Sequence, residues 1–495
     1  MKKFDRQGET PLLSTMRRYI EEDVMPFHTP GHKQGRGMDK AFTNLMGKKL
    51  LRYDLSLMSE WDDLAEPKSC LLAAEMLAAE LYGADQSFFL VNGTTEAIQA
   101  MILATVGPGD KLILQRNSHR SCLSGLALSG ARPVYVQPEV DVELGLAMAV
   151  SPEALEAVLM AHPDAKGVLL TSPTYYGAAA DLAAIANLVH RYNMALLIDE
   201  AHGPHLQFHQ DLPLAALAAG ADLVAQSTHK ILGAMTQCSM LHRQGERIDS
   251  SRLHSMLKVL HSTSPNYVLL ASLEAARLQM ACSGRKLMTK ALALADFFRS
   301  QVNQIPGLYS FGAEKIGLPG IYELDRTKVT VTVSGLGMTG AEAEAFLRRK
   351  KIQVELYDER NVLFLLTFGD RKATIQKLID ALAAMAFDAR KQQRSEILAK
   401  AVCPQWLPRL ILSPREALFA ATEVIPFSEA AGRISAEVLS FYPPGIPLVS
   451  PGEEITAEFI DYCRRMQQAG LNVAGPEDHS LQTIKVITAE RKQGE

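Results

Sequence analysis

Residues 195–203 read Ala-Leu-Leu-Ile-Asp-Glu-Ala-His-Gly, an apolar run that ends abruptly in charged and polar side chains. The apolar run predicts a buried strand that Asp199 closes. A carboxylate at the end of a buried strand is costly unless it meets a cation or a hydrogen-bond donor. The segment therefore predicts a strand of a buried sheet, with a cation or hydrogen-bond donor close to the Asp199 carboxylate at the carboxyl end of that strand.

The flanking sequence repeats this alternation of strand and helix. Apolar runs predict strands, and helical spacing of apolar residues predicts the helices between them. Such alternation is typical of a mainly parallel sheet covered on both faces, which binds its ligands at the carboxyl ends of the strands. The predicted strands are 87–91, 111–115, 133–136, 167–171, 195–199 and 223–226, and the predicted helices include 70–82, 151–161, 181–192 and 266–304.

The remaining chain divides into further segments. Residues 1–69 are rich in Pro, Gly and His, and we expect them to be irregular. Strands at 328–333, 353–356 and 362–368, with helices at 340–350 and 372–386, predict a small α+β domain. The predicted domains are an N-terminal segment (1–69), a large α/β domain (70–310), a small α+β domain (311–395) and a C-terminal α+β domain (396–495).

Composition excludes several classes of function. The chain has 495 residues, 47% of them hydrophobic, and a formal net charge of −4, which predicts a globular protein of several domains and argues against a nucleic-acid binder. The polar start predicts no signal peptide, and the absence of an 18-residue apolar run predicts no membrane span. Six cysteines without a C-x-x-C pair favour reduced thiols in the cytoplasm and no metal site.

Three more polar clusters follow predicted strands. Asn92-Gly93-Thr94-Thr95 leads into a helix, where N–H groups and hydroxyls can bind an anion, although an ordinary capped turn fits equally well. His119 follows a second strand, and a lone histidine there is more often a surface or core residue. Ser227-Thr228-His229-Lys230 follows a third, and its lysine is either a solvated cation or a partly desolvated amine able to attack a carbonyl.

Asp199-Glu200-Ala201-His202 also matches a helicase-type nucleotide box. That interpretation requires a Gly-x-x-x-x-Gly-Lys-[Ser/Thr] loop, which the sequence lacks. The order of the clusters instead suits pyridoxal 5′-phosphate (PLP). A phosphate turn, an aromatic ring, an acid for the pyridine nitrogen and a lysine for the aldehyde occur in succession.

These motifs together resemble the fold-type-I ornithine/lysine/arginine decarboxylases. Residues 27–33 (Phe-His-Thr-Pro-Gly-His-Lys) and 442–447 (Tyr-Pro-Pro-Gly-Ile-Pro) add to the likeness, which runs from about residue 10 to 480. The resemblance implies the PLP-dependent transferase fold of aspartate aminotransferase for the large domain. It also indicates a short form of the family without the N-terminal wing domain.

The resemblance implies roles for matching positions. Lys230 would carry PLP as a Schiff base, Asp199 would pair with the pyridine nitrogen, and His119 and Ala201 would pack on the two ring faces. His202 would lie near the ring hydroxyl. The phosphate would be held by Thr94, Thr95, Ser227 and His229. Lys230, or His229 beside it, would return a proton to the substrate carbon, so the implied catalytic residues are Lys230, Asp199, His119 and His229.

The implied reaction is decarboxylation of a basic amino acid, with arginine to agmatine preferred and lysine or ornithine close behind, as a step in polyamine biosynthesis. An aminotransferase is the alternative enzyme, but the late strand 362–368 contains no arginine to clamp a carboxylate, leaving only Arg360 before it. A catalytically inactive regulatory homologue is the third possibility. Candidate residues for recognising the substrate tail are Glu355, Asp358, Glu359, Glu437 and Glu453.

The resemblance also implies a homodimer or higher homo-oligomer, because this fold completes its active sites across a subunit interface. His28, His32 and Lys33 are candidates for closing the neighbouring site. One departure from the family pattern is Pro67-Lys68-Ser69-Cys70, where relatives have a Ser-Gly pair, and it leaves substrate preference open.

Overall fold

The computed structural model describes residues 6–56, 62–392, 406–442, 446–468 and 470–488 in two compact units. The first unit comprises Met1–Ala104 and Leu197–Met288, and the second comprises Thr105–Leu196 and Thr289–Glu495. The predicted domains group the residues differently and stay a prediction. Part of the proline-rich 442–447 element lies outside the described residues.

The helices cover most of the stretches predicted from apolar spacing. They are α1 (Pro11–Glu21), α2 (Lys40–Met46), α3 (Lys48–Arg52), α4 (Cys70–Tyr82), α5 (Gly93–Thr105), α6 (Arg120–Ser129), α7 (Pro152–Ala161), α8 (Leu182–Arg191), α9 (Thr228–Ile231), α10 (Ser250–Leu260), α11 (Tyr267–Val302), α12 (Gly340–Arg349), α13 (Lys372–Lys391), α14 (Pro414–Phe419) and α15 (Ala457–Gln468).

The strands are short, and six of them coincide with the apolar runs predicted between residues 87 and 226. They are β1 (Gln86–Leu90), β2 (Lys111–Gln115), β3 (Arg132–Val136), β4 (Val140–Asp141), β5 (Leu146–Ala147), β6 (Gly167–Thr171), β7 (Ala178–Ala179), β8 (Ala195–Asp199), β9 (Leu223–Gln226), β10 (Ser239–Arg243), β11 (Glu323–Leu324), β12 (Lys328–Thr332), β13 (Leu356–Tyr357), β14 (Asn361–Leu365), β15 (Thr422–Pro426), β16 (Leu439–Tyr442), β17 (Pro447–Val449), β18 (Asn472–Ala474) and β19 (Thr483–Ile487).

In the first unit the strand order is β1-β10-β9-β8. Strand β10 runs antiparallel to both of its neighbours, and β9 runs parallel to β8, with Asp199 opposite Ala225. Because β8 and β9 are parallel, Asp199 and the residues that follow Gln226 emerge at the same edge of the sheet.

Helix α4 ends at Gly83, whose φ of 75° suits a residue without a Cβ.

The second unit contains parallel strands in the order β6-β2-β3 and several smaller sheets. The small antiparallel sheet β12-β14-β13 packs with α12 and α13 around an apolar core that includes Val329, Val362 and Leu382. Toward the C-terminus, β16 pairs with β17 and β18 over a second core that includes Phe459 and Cys463. These cores agree with the α+β character expected after residue 310.

Two local predictions are wrong. Residues 1–69 are not irregular throughout, since α1, α2 and α3 lie there. In α1 the buried residues Leu12, Met16, Tyr19 and Ile20 follow helical spacing, and the helix begins with Pro11, which is favourable in a first turn. The strand predicted at 353–356 is instead the two-residue strand Leu356–Tyr357, and β10 was not anticipated.

Within the described residues no helix has the length and hydropathy to cross a membrane.

Candidate active site

The Lys230 amine lies in the first unit, where β9 gives way to the single turn of α9. Its Nζ is 3.0 Å from Nε2 of His202, which follows β8. Lys230 is half-buried and His202 is buried. An amine in such a position is partly removed from water and has an imidazole with which to exchange a proton, as a nucleophilic lysine requires.

Asp199 closes β8 as predicted and is buried, with 4% of its surface exposed. Within the described residues the only hydrogen bond to its carboxyl comes from the backbone N–H of Ala201, 3.1 Å from Oδ1. Burial raises the pKa of Asp199, and the positive charge of Lys230 opposes that rise. The carboxyl therefore lies close enough to the lysine to interact electrostatically, and it retains an oxygen able to accept a further donor.

The Asn92-Gly93-Thr94-Thr95 turn forms the N-terminus of α5. Helix α5 starts at Gly93, whose φ of 72° lies in the left-handed region that favours glycine. The Thr94 hydroxyl lies 2.9 Å from the Ser227 hydroxyl, so the turn before α5 meets the turn before α9. Two hydroxyls and a helix N-terminus suit an anion better than an apolar group.

Thr228 adds a hydroxyl that sequence analysis had not assigned. Its Oγ1 is buried and has no hydrogen-bond partner among the described residues. A buried hydroxyl without a partner is unfavourable, and such groups need an explanation. An anion bound beside Ser227 would supply the missing acceptor.

His229 has a defined hydrogen-bonding state. Its Nδ1 lies 2.9 Å from the carbonyl oxygen of Cys238, which can only accept, so Nδ1 carries the proton and Nε2 carries the lone pair. Burial lowers the pKa of His229, and the nearby Lys230 charge acts in the same direction. His229 therefore presents a neutral imidazole.

The turn containing Gln237 and Cys238 supports both sides of this site. The Gln237 carbonyl accepts the N–H of Gly93 at 2.8 Å, and the Cys238 carbonyl accepts from His229. Gln237 adopts a φ of 78°, which is unusual for a residue with a side chain. The Gln237–Cys238 turn makes both contacts with backbone carbonyls, so no pattern in its side chains could have revealed them.

The first unit thus contains most of the predicted site residues, namely Thr94, Thr95, Asp199, Ala201, His202, Ser227, His229 and Lys230. His119 lies in the second unit, where it caps helix α6 by accepting the Ser121 N–H on Nδ1. The proton of a neutral His119 ring therefore lies on Nε2. Its role as a stacking residue stays a prediction.

The acids named as candidates for the substrate tail differ in how they are engaged. Glu453 is fully buried and bound by both terminal nitrogens of Arg116, at 2.6 and 2.9 Å. The Glu437 carboxyl accepts the backbone N–H groups of Glu477 and Lys485, each at 2.7 Å. Both acids have structural partners that occupy their oxygens.

Asp358 accepts from Arg360, Asn361 and Tyr176, and burial raises its pKa to about 6. By contrast, Glu355 has an exposed side chain and Glu359 is half-buried. Of the five candidates, these last two are the better placed to meet a cation from outside.

The N-terminal residues have local partners within the first unit. His28 Nε2 lies 3.2 Å from the Tyr19 hydroxyl, and His32 pairs with Asp54 at 3.1 Å.

At Pro67-Lys68-Ser69-Cys70, where the sequence departs from the family pattern, the Asp62 carboxylate accepts the backbone N–H groups of Lys68 and Ser69 at 2.6 Å each. That carboxylate satisfies the backbone just before α4, which explains how this sequence is accommodated there.

The donor set fits PLP. A buried carboxyl with an unused oxygen suits the protonated ring nitrogen, and an amine beside an imidazole suits the aldehyde. The unpartnered Thr228 hydroxyl next to the Thr94–Ser227 pair suits the phosphate. No group of three or more His, Cys, Asp or Glu side chains in the described ranges is arranged to hold a metal ion.

The sequence matches the models of a known protein family. The model of the Orn/Lys/Arg decarboxylase major domain matches residues 10–374, and that of the C-terminal domain matches residues 396–488. The chain belongs to the Orn/Lys/Arg decarboxylase family. It is therefore a PLP-dependent decarboxylase by family, and the resemblance inferred from the motifs is confirmed.

Relatives cover nearly the whole chain. The arginine decarboxylase of Bacillus subtilis is 43% identical over 98% of this chain and 99% of its own length. The arginine decarboxylase of Halalkalibacterium halodurans is 44% identical over 98% of this chain and 99% of its own length. The lysine decarboxylase LdcA of Pseudomonas aeruginosa is 27% identical over 93% of this chain and 76% of its own length.

Solved structures agree on the fold. Lysine decarboxylase A from Pseudomonas aeruginosa superposes with a TM-score of 0.83 at 25% identity, covering 97% of this chain and 81% of that one. The Francisella novicida lysine decarboxylase gives the same TM-score at 23% identity and the same coverage. The predicted fold class, a fold-type-I large domain with smaller α+β parts, is confirmed.

Proposed function

We propose that this decarboxylase converts arginine to agmatine with PLP attached to Lys230. The observation that carries the proposal is the meeting, in one compact unit, of the Lys230 amine, the Asp199 carboxyl and the hydroxyls of Thr94 and Ser227. Family membership supplies the reaction class. The choice of arginine is supported by arginine decarboxylases at 41–44% identity, against 27% for a lysine decarboxylase. Lysine and ornithine follow as alternatives.

When bound, PLP draws electrons away from the bond to the substrate carboxylate so that CO₂ can leave. Asp199 would keep the ring nitrogen protonated and stabilise charge that develops only as the bond breaks. The phosphate would be held by the N-terminus of α5 and by Thr94, Thr95 and Ser227, with the Thr228 hydroxyl as an additional donor. His229, the fourth predicted phosphate ligand, would donate to it only after gaining a proton on Nε2, because its Nδ1 proton goes to the Cys238 carbonyl. Ala201 and His119 would pack on the two faces of the ring.

The proton transfers fall to residues around the amine. His202 Nε2, 3.0 Å from Lys230 Nζ, would accept a proton from the lysine when it attacks and return it when the lysine is released. Decarboxylation leaves a carbon that must gain one proton. Lys230 would deliver that proton before the amine product departs, and His229 beside it would do so only after its Nε2 had gained a proton.

The aminotransferase alternative is disfavoured by the state of Arg360. Its guanidinium donates to the Glu143 carbonyl at 3.0 Å and to the Ser334 hydroxyl at 3.3 Å, all within the second unit. Strand β14, which follows it, contains no arginine. Strand β14 therefore offers no arginine to hold a substrate carboxylate, and Arg360 donates to groups of the protein itself, which favours loss of the carboxylate over its retention.

Several broader expectations accompany this function. We propose a homodimer as the smallest assembly, a cytoplasmic location and a role in polyamine synthesis through the amine product. We also propose that Glu355 or Glu359, rather than the engaged Glu437 and Glu453, recognises the cationic tail.

The direct test combines spectroscopy with product identification. The purified protein should show visible absorbance from lysine-bound PLP that borohydride abolishes, and it should release agmatine from arginine faster than cadaverine from lysine or putrescine from ornithine. Lys230→Ala should lose both the absorbance and the activity. Lys258→Ala, which removes a surface lysine paired with Glu66, serves as the matched control.

Each other outcome has a distinct meaning. Formation of a keto acid in place of an amine would support the aminotransferase. A protein that gains no absorbance with PLP and releases no amine would support the inactive regulatory homologue and contradict the proposal.

A further inference from the structure

Four buried side chains form a continuous row of hydrogen bonds across the strands of the first unit. Ser87 of β1 lies 2.7 Å from His242 of β10, His242 lies 3.2 Å from Gln226 of β9, and Gln226 lies 2.6 Å from Glu200, which follows β8. None of the four side chains belongs to a residue more than 5% exposed. We call this set the polar row.

The chemistry of the donors fixes the direction of the polar row. Gln226 Nε2 donates to Glu200 Oε2, so Gln226 Oε1 faces His242 and must accept from its Nε2. The remaining ring nitrogen, Nδ1, then accepts from the Ser87 hydroxyl. Burial lowers the pKa of His242 to about 3, which agrees with a neutral ring in this arrangement. Every donor therefore points toward Glu200.

The polar row ends at the segment assigned to the cofactor ring. Glu200 stands between Asp199 and Ala201, and its second oxygen accepts the backbone N–H of Ala216 at 2.8 Å. Successive residues at the end of a strand point to opposite sides. The Glu200 N–H donates to the Ala225 carbonyl at 2.9 Å, so the extended backbone reaches residue 200, and anchoring Glu200 on one side constrains the direction in which Asp199 faces on the other.

A second contact joins the polar row to the same segment. The Tyr82 ring stacks on His242 with centroids 4.6 Å apart, and its hydroxyl donates to the carbonyl of Pro204 at 3.3 Å. Pro204 lies two positions after His202, the partner of Lys230. The polar row and its stacked tyrosine therefore hold the 199–204 segment at both ends.

From this geometry we infer that Ser87, His242, Gln226 and Glu200 are positioning residues that hold Asp199, Ala201 and His202 in register with the cofactor ring. The inference rests on the proposed function. A row of buried polar groups is a costly way to fill a sheet, since apolar residues of similar size would pack there without desolvating polar atoms. The polar row ends at residue 200, beside the site residues. Its hydrogen bonds can therefore fix the orientation of those residues, which explains why polar groups are found in the sheet.

The test separates positioning from stability. Gln226→Met keeps the length of the side chain but leaves His242 and Glu200 without their shared partner. We expect the dissociation constant for PLP, titrated by visible absorbance in the full chain, to rise about tenfold. Leu253→Ala, a buried change on α10 outside the polar row, is the control for general destabilisation. Thermal unfolding of the cofactor-free proteins measures stability separately.

An exchange variant provides the rescue. When Glu200→Gln is combined with Gln226→Glu, the amide introduced at position 200 can donate to the carboxyl introduced at position 226. That carboxyl also accepts from His242, so each hydrogen bond is rebuilt. Recovery of PLP affinity in the double variant, after loss in each single variant, is the expected result.

If Gln226→Met retains wild-type affinity and absorbance while losing as much stability as Leu253→Ala, the polar row is structural only and the inference is wrong. Failure of the double variant to recover affinity while it unfolds like the wild type would overturn it as well. A wild-type protein that never binds PLP would instead refute the proposed function, so the two failures are distinguishable.

Discussion

Nε2 of His202 lies 3.0 Å from Nζ of Lys230, although the two residues are separated by the whole of β9 and the loop before it. Both follow parallel strands, β8 and β9, whose carboxyl ends lie at the same sheet edge. The pairing gives the half-buried lysine a buried partner for proton exchange.

His202→Phe should keep the bulk of the ring and remove its nitrogens. Because proton exchange with Lys230 would then depend on water, we expect kcat to fall about a hundredfold. Absorbance should also develop more slowly when the cofactor-free protein is mixed with PLP. His209→Asn, a change in the same segment at a residue near Asp211, is the control. Unchanged rates in His202→Phe would exclude the proton-exchange role.

Asp199→Asn tests the electrostatic role of the acid without altering its size. An amide cannot hold the proton on the ring nitrogen, so we expect kcat to drop about a hundredfold or more while PLP stays attached through Lys230. The ratio of activity to borohydride-sensitive absorbance measures this effect. Asp222→Asn, which changes a buried acid paired with Arg247, should leave the ratio unaltered. Equal losses in the two variants would contradict the assignment.

Glu453→Ala should damage stability rather than substrate choice. It leaves the Arg116 guanidinium buried without its carboxylate, which costs about 3–5 kcal/mol in comparable cases. We expect the ratio of kcat/KM for arginine to that for lysine to stay constant in the folded fraction. Denaturant unfolding of the variant and of Glu453→Ala combined with Arg116→Met supplies the comparison. The double variant should be less destabilised, and a changed substrate ratio would restore Glu453 as a selector.

Glu75→Gln should flatten the dependence of stability on pH. Burial raises the pKa of Glu75 from 4.5 to about 8, while its Oε1 accepts the N–H of Phe89 at 2.8 Å. Between those two pH values the folded protein retains a proton that the unfolded chain has released. Stability from this group therefore falls as pH rises through that window.

Glutamine keeps the acceptor oxygen and does not titrate. We expect the free energy of unfolding of Glu75→Gln to decline less than that of the wild type across the window, as measured by denaturant unfolding at several pH values. Parallel pH profiles for the two proteins would show that the Glu75 carboxyl has no raised pKa.

The N-terminal segment illustrates where sequence reasoning fell short. The apolar spacing of Leu12, Met16 and Ile20 was present in the sequence, but the surrounding Pro, Gly and His residues suggested irregular structure. The helix is stabilised by burial of that face. For the same reason β10 escaped prediction: its polar Ser239 and His242 are buried by pairing with neighbouring strands, which local propensity does not reveal.

The sequence by itself determined the alternation of apolar strands and helices, the position of Asp199 and Lys230 at strand ends, and the family to which their motifs belong. These are local properties, since strand period, turn chemistry and motif order are written along the chain. The tertiary structure alone decided which groups meet: the Lys230–His202 contact, the Thr94–Ser227 pair and the row from Ser87 to Glu200. Those contacts join residues distant in sequence, and strand pairing, which depends on burial of the whole sheet, brings them together.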